Sequence, residues 1–329
     1  MQRSRLSLKW LEVFQLAART GSVQAVASET GLSVSTVSHH LRSLDTALGV
    51  KLIDHHRRPM VLTPAGTSFL RRVDEALRQI RAAEVEVAAG NLIEARSLRL
   101  GLIDDFDAEI GPELARILAN GMQSCEFSHF TRPSHEILTL LRKRKLDIGV
   151  ANRPHDDLSD LIEFPLFRDP FVLAAPIERT LSAEEYLAGK STLPFLRYAN
   201  SHIIGGQIST QLRRIGITLP GRFEFESNQS IMGMIADGGG WAITTPTGFI
   251  RAKRFHKQIQ LLPFPGKGFA RHLSLFTTEE YPQHVAEMIA TTLRRLIRLR
   301  AIEPAVSLIP WLEGTYTLTS QQSAAQINV

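Results

Sequence analysis

Apolar residues near the N-terminus recur at helical spacing. Val37, Leu41, Leu44 and Leu48 are separated by steps of four, three and four, which puts them on one face of an α-helix. Ser33 stands ahead of this face as an N-cap whose hydroxyl accepts an orphan amide, and Gly49 follows as a stop. The pattern predicts a helix over about 34–48. A shorter helix over 23–30 is predicted with Ser22 as cap and Val26 and Ala27 facing inward, and Gly31 makes the turn between the two. The order Ala27, Gly31, Val37 gives a small residue at the contact, a glycine that tolerates positive φ, and a β-branched residue packing back: a helix-turn-helix.

With that apolar face buried, the second helix shows Ser35, Thr36, Ser38, His39 and Arg42 outward, clustered toward its start. Hydroxyls and imidazole donate to phosphates and base edges, and arginine pairs with guanine through two hydrogen bonds. His39 and His40 point about 100° apart on a helix and cannot chelate one ion as an i, i+4 pair does, so no metal site is expected. "DHHRRPMVLT", residues 54–63, lies between apolar runs and reads as a short hairpin whose tip, with His55, His56, Arg57 and Arg58, rests on a phosphate backbone.

Thr63 and Pro64 then open a long helix. Phe69, Val73, Ala76, Ile80, Ala83 and Val87 alternate steps of four and three, a coiled-coil seam that predicts a linker joining two subunits. Packing within one chain is the alternative, and Gly90 and Asn91 end the helix.

From Ser97 the pattern changes to short apolar strands alternating with helices. "LRLGLI", "CEFSHF" and "LDIGVA" form one series; "FVLAAP", "PFLRYA", "RFEFES" and "WAITTP" form a second. Alternation of this kind implies parallel sheets, here in two α/β lobes. "HLSLFTTEE" and a helix from Pro282 return the chain to the first lobe. The glycines at 238–240 end a helix and start a strand rather than cradle phosphate.

Charge sharpens the division. Residues 1–72 hold ten Lys/Arg against four Asp/Glu, and the rest holds 28 against 29, so a basic head precedes a neutral body. That asymmetry suits a nucleic-acid module, with a solvated basic face as the plain alternative. A chain of 329 residues is long enough for two or three domains. No apolar run approaches a membrane span and no cleavable leader is apparent, which places the protein in the cytoplasm without a membrane partner. The single cysteine, Cys125, excludes an internal disulfide and is expected in the core.

Residues 1–66 resemble the DNA-binding domain of LysR-type transcriptional regulators. The likeness rests on the "SxxAxA" entry at Ser22, the "VSxxLxxLxxxLG" helix at 37–49 and the closing "LTPAG" at 62–66. Val34, Ser35 and Thr36 replace the family's usual Gln-Pro-Ala, His39 and His40 its Arg-Gln, and the wing's basic residues are displaced to Arg57 and Arg58. "LRKRKLDIGVANRP", "FPLFRDPFVLAAP" and "MIADGGGWAITTP" extend the resemblance more loosely along the body. It implies a winged helix-turn-helix (1–66), a linker helix for dimerisation (67–96) and a two-lobed effector domain like the periplasmic binding proteins (97–302); the tail (303–329) matches nothing in the family, and its polar composition predicts partial disorder. It further implies a homodimer or homotetramer on double-stranded promoter DNA, with room for contact with RNA polymerase, a small-molecule effector and no cofactor.

The DNA-contacting set expected on this basis is Ser33, Ser35, Thr36, Ser38, His39, Arg42, Arg57 and Arg58. Ligands of open α/β sheets bind beyond the carboxyl ends of strands, which nominates Asp104, Asp105, Thr131, Arg132, Ser134, Asn200, Ser201, Asn228 and Thr244 for the effector. The acidic "DDFD" at 104–107 repels an anion, so an amine or several hydroxyls are expected on the effector, with Arg132 for any acidic group. Alternatively these aspartates cap the next helix and pair with Arg132 or Arg153. No motif of a nucleotide-binding enzyme, zinc peptidase or serine hydrolase is present, and a transport protein needs neither a basic head nor a linker helix.

Overall fold

The structure, a computed structural model, describes residues 6–54, 57, 59–89, 97–122, 125–154 and 158–319. The chain divides into two compact units, residues 1–87 and 88–329, each with its own core.

In the first unit α1 (Leu8–Thr20), α2 (Val23–Thr30) and α3 (Val34–Leu48) precede a hairpin of β1 (Ile53–Asp54) and β2 (Val61–Leu62), and α4 (Pro64–Ala89) follows. Val13, Phe14 and Ala17 of α1 meet Val26, Val37, Leu41 and Leu44 in the core. Gly31 turns between α2 and α3 at φ 69°, a conformation that costs other residues more. Gly66 is required by contact: a Cβ there would lie 2.0 Å from the Leu52 carbonyl oxygen.

The seam expected along α4 is divided. Its first turns serve the unit's own core, with Phe69 against Phe14 at 5.6 Å between rings and Val73 and Leu77 buried, while Ala76 is exposed. Helix α1 claims this part of the helix, and Gln15 donates to Asp74 at 2.6 Å. Ile80 is exposed. The side chains of Ala83 and Val87, and residues Gly90 and Asn91, lie outside the described residues.

The second unit begins with β3 (Ser97–Leu102), α5 (Ile110–Gly121), β4 (Glu126–Thr131), α6 (Ser134–Arg142), β5 (Ile148–Asn152) and β6 (Ile162–Pro170). The chain crosses into a second lobe of β7 (Val172–Pro176), α7 (Ala183–Leu187), β8 (Phe195–Tyr198), α8 (Ile203–Arg214), β9 (Gly221–Phe225), α9 (Asn228–Ala236), β10 (Trp241–Thr244), α10 (Pro246–Arg251) and β11 (Ile259–Pro263). It returns through β12 (Ala270–Thr277), α11 (Gln283–Ile297), α12 (Glu303–Leu308) and β13 (Thr317–Leu318). The first lobe's sheet runs β13-β6-β12-β5-β3-β4 and the second's β11-β7-β10-β8-β9. Where the chain crosses between lobes, the Phe171 amide donates to the Phe269 carbonyl at 2.9 Å and the two rings stack at 4.2 Å.

Two expectations are corrected here. Residues 303–319 are no separate tail: β13 pairs with β6 of the first lobe, and Leu312 and Tyr316 are buried, with the Tyr316 hydroxyl 2.8 Å from Thr247 of the second lobe. These scattered apolar residues have no period that announces an element, and only the hollow they fill shows their use; residues 320–329 lie outside the described residues. Cys125 is half-buried at the start of an edge strand rather than enclosed in the core.

Candidate nucleic-acid interface and effector cleft

Helix α3 starts from a hydroxyl cluster. The Thr36 amide donates to Ser33 Oγ at 3.1 Å, which satisfies one of the helix's orphan donors, and Ser33 Oγ lies 2.8 Å from both Ser35 Oγ and Thr36 Oγ1. Ser33, Ser35, His39 and Arg42 are exposed; Thr36 and Ser38 are partly so. Arg42 Nε donates to the Ser38 carbonyl of its own helix at 3.2 Å, and His40 Nδ1 is buried without a partner among the described residues. Arg57 is exposed at the hairpin tip, 3.5 Å from Asp54. Arg58, His55 and His56 lie outside the described residues. Val34, outside the expected contact set, exposes its side chain at the helix start and offers an apolar contact of the kind a thymine methyl accepts. Among the described residues no cluster of three metal-ligating side chains occurs.

The second site is a cavity of about 390 Å³ between the lobes. Asp104, Asp105, Thr131, Arg132 and Ser134 line it from the first lobe, together with Asn152 at the end of β5. His202, Ile203, Glu226, Ser227 and Arg251 approach from the second, and Arg271 from the returning strand. His202 and Ser227 follow their strands and are positions that the strand-end reading also takes in, and Asn152 directly follows "LDIGVA"; Glu226, Arg251 and Arg271 carried no sequence signal for this place.

Four expected effector residues lie elsewhere. Asn228 and Thr244 are buried inside the second lobe, where the Tyr198 hydroxyl donates to Asn228 Oδ1 at 2.5 Å and lies 2.8 Å from Thr244 Oγ1. Asn228 Nδ2 completes the set by donating to the Gly248 carbonyl at 2.8 Å. These groups satisfy one another, which is what burial demands of polar atoms. Asn200 accepts from Ser209 at 2.7 Å and lines a separate cavity beside α8, and exposed Ser201 is absent from the cleft wall. The next residue, His202, takes the cleft position because α8 begins immediately after it.

Ion pairs organise the cleft floor. Arg251 reaches Asp104 and Asp107, each at 2.9 Å, and so ties the second lobe to the first. Buried Arg271 binds Asp105 at 2.6 Å, Asp169 at 2.8 Å and the Thr245 hydroxyl at 3.0 Å. The aspartates thus pair with neither Arg132 nor Arg153, which bind Glu136 and Glu163, and none caps α5. Partial burial, reinforced by the Asp105 charge and only partly offset by Arg251 and Arg271, pushes the Asp104 carboxyl up to about 6. Burial also raises Asp169 against the pull of Arg271. For Arg271 burial favours loss of the proton, but Asp105 and Asp169 outweigh it and hold the guanidinium above its ordinary value. The His202 ring lies 6.0 Å from that of His135 on α6, and burial lowers the His202 pKa.

A winged helix-turn-helix joined to two α/β lobes around a polar cleft defines a ligand-responsive DNA-binding protein. Residues 8–67 match the family model of bacterial regulatory helix-turn-helix proteins of the LysR family, and residues 93–296 match the LysR substrate binding domain. The chain belongs to the LysR family of bacterial transcriptional regulators, which bind DNA and are not enzymes. It is 24% identical over 239 residues to an uncharacterized HTH-type transcriptional regulator, YfeR, of Shigella flexneri, covering 72% of this chain and 77% of that protein. It is 26% identical over 209 residues to a probable hydrogen peroxide-inducible genes activator of Mycobacterium leprae, covering 63% of this chain and 67% of that one. A peroxide-bound OxyR mutant of Corynebacterium glutamicum shares the fold with a TM-score of 0.54 at 20% identity, covering 92% of this chain and 95% of that one. Full-length BenM shares it with a TM-score of 0.52 at 14% identity, covering 89% and 97%.

Proposed function

We propose that this regulator reads its operator with the first turns of α3 and responds to a small molecule held between its lobes. The uncovered polar face of α3 carries the reading: Ser35, Thr36, Ser38, His39 and Arg42 enter the major groove, Ser33 holds the helix start, and Arg57 with Arg58 grips phosphate. Two copies, or four, place paired helices about 34 Å apart or at multiples of that distance. The cytoplasm, where promoter DNA is found, is the compartment this activity requires; among the described residues no helix is long and apolar enough to cross a membrane.

Asp104, Asp105, Thr131, Arg132 and Ser134 form the effector-facing wall of the first lobe. An effector that binds one lobe arrangement better than another shifts the population toward it and with it the spacing of the DNA-binding heads. Peroxide sensing through a thiol finds little support. Burial, Asp147 and Glu126 all push the Cys125 thiol up, which lowers its reactive thiolate fraction, and no second cysteine exists to form an internal disulfide.

The test is genome-wide DNA capture with the purified protein across salt concentrations, beside Arg42→Ala. A two-fold symmetric site, weakened by about 1–3 kcal/mol in the variant, is expected. Unchanged sequence preference in Arg42→Ala overturns the assignment of α3.

A further inference from the structure

Three helices begin at the wall of the inter-lobe cavity. α6 has nine residues, α8 twelve and α9 nine, and their preceding residues Pro133, His202 and Ser227 all line the cavity. None of the three receives a side-chain cap. Their first-turn amides therefore present partial positive charge to the same space, from both lobes.

An independent observation points the same way. Asn152 is buried, lines this cavity, and its carboxamide oxygen has no hydrogen-bond partner among the described residues, although its backbone amide is held by Ser134 Oγ at 3.0 Å. A buried polar atom without a partner is costly, and a ligand donor is the means of relieving it here.

The acidic side of the cavity is also incompletely answered. Arg251 and Arg271 between them face four carboxylates, those of Asp104, Asp107, Asp105 and Asp169. Asp104 keeps an exposed edge, and Glu226 projects from the opposite lobe with no ion pair among the described residues. A purely anionic ligand would meet these carboxylates, and a purely cationic one would leave the three helix starts unanswered. Ile103, Ile203 and Ile204 add apolar surface for a side chain. The volume, about 390 Å³, falls at the lower end for ligand pockets and suits a small metabolite.

We propose that the cleft takes a free amino acid, its carboxylate at the starts of α6 and α8 beside Arg132 and its ammonium group between Asp104 and Glu226. The ammonium group donates to Asn152 and adds a second cation to Asp104, whose partner Arg251 is shared with Asp107. The raised Asp104 pKa agrees, since a bound cation favours the ionised form. The proposal rests on the reading of this chain as an effector-responsive regulator.

The experiment titrates the full-length protein calorimetrically with each of the twenty proteinogenic amino acids, and then the best binder's deaminated acid and decarboxylated amine. At least one amino acid binds, each truncated analogue binds at least about tenfold more weakly, and Asp104→Asn or Glu226→Gln narrows the gap between the amino acid and its deaminated acid. An analogue that binds as tightly as its parent overturns the proposal, and so does the absence of binding by all twenty. DNA capture run in parallel separates the two readings. An operator bound without any amino acid response removes only the ligand class, whereas an amino acid response without an operator removes the regulator reading and leaves the cavity chemistry standing.

Discussion

Helix starts in the DNA-binding unit and at the effector cleft solve one physical problem in opposite ways. In the DNA-binding unit α2, α3 and α4 open on Ser22, Ser33 and Thr63, whose hydroxyls accept from the amides of Ala25, Thr36 and Gly66 at 3.3, 3.1 and 3.0 Å. At the cleft α6, α8 and α9 open without such a cap. A capped start spends its donors on folding; an uncapped start keeps them for water or a ligand. Missing caps alone mean little, because α1, α5 and α11 lack them too. The cleft differs in that three such starts meet around one cavity beside the Asn152 carboxamide oxygen, which has no partner among the described residues.

The largest effect tests the independence of the two regions. Arg271→Ala leaves Asp105 and Asp169 buried without their cation, and the effector unit should lose about 3–5 kcal/mol in urea unfolding while the DNA-binding unit keeps its midpoint. Equal losses in both units would contradict separate cores. Ser33→Ala removes a working cap and should cost about 1 kcal/mol in the DNA-binding unit alone.

The opposite manipulation installs a cap at the cleft. His202 already has the extended backbone of an N-cap, so His202→Asp should stabilise the ligand-free effector unit by up to about 1 kcal/mol, read as a raised melting temperature. The same carboxylate should weaken binding of an anionic group; tighter binding would show that the start of α8 does not serve the ligand.

The smallest effect is a pH dependence. Asp104 titrates at about 6 in the folded protein, above its ordinary value near 3.8, so the folded state binds more protons between these values. Stability therefore falls as pH rises from about 4 to about 6, by less than about 1 kcal/mol once solvent screening of this partly exposed group is allowed for. Asp104→Asn should flatten that part of the stability profile, and an unchanged slope would assign the titration elsewhere.

The two regions also differ in how far they can be read from residues. The boundaries of α2 and α3, the caps Ser22, Ser33 and Thr63, and the turn at Gly31 fall where periodicity and cap chemistry place them. Every one of those signals acts within about four residues. The α4 seam was legible only as a repeat: apolar spacing records that a face is covered but not whether α1 or a second chain covers it, and α1 takes Phe69 and Val73.

The cleft is a long-range object. The rule of strand ends brings Asp104, Asp105, Thr131, Arg132 and Ser134 to its wall, yet the same rule misplaces Asn200, Ser201, Asn228 and Thr244. A strand end offers several consecutive polar residues, and the exit angle into the following helix selects which of them faces the ligand. Arg271 was beyond such reasoning, since it meets Asp105 across 166 residues of chain.

By itself, then, the sequence determined the helix-turn-helix, the basic head, the two-lobed α/β body and the acidic stretch at 104–107, because periodicity, capping and net charge are local quantities. Tertiary structure alone decided which residues line the cavity, that Arg251 and Arg271 answer the aspartates, and that residues 303–319 complete the first lobe. Those outcomes depend on which surfaces meet when two sheets and their crossovers pack, and burial then fixes the charge partners that distance along the chain conceals.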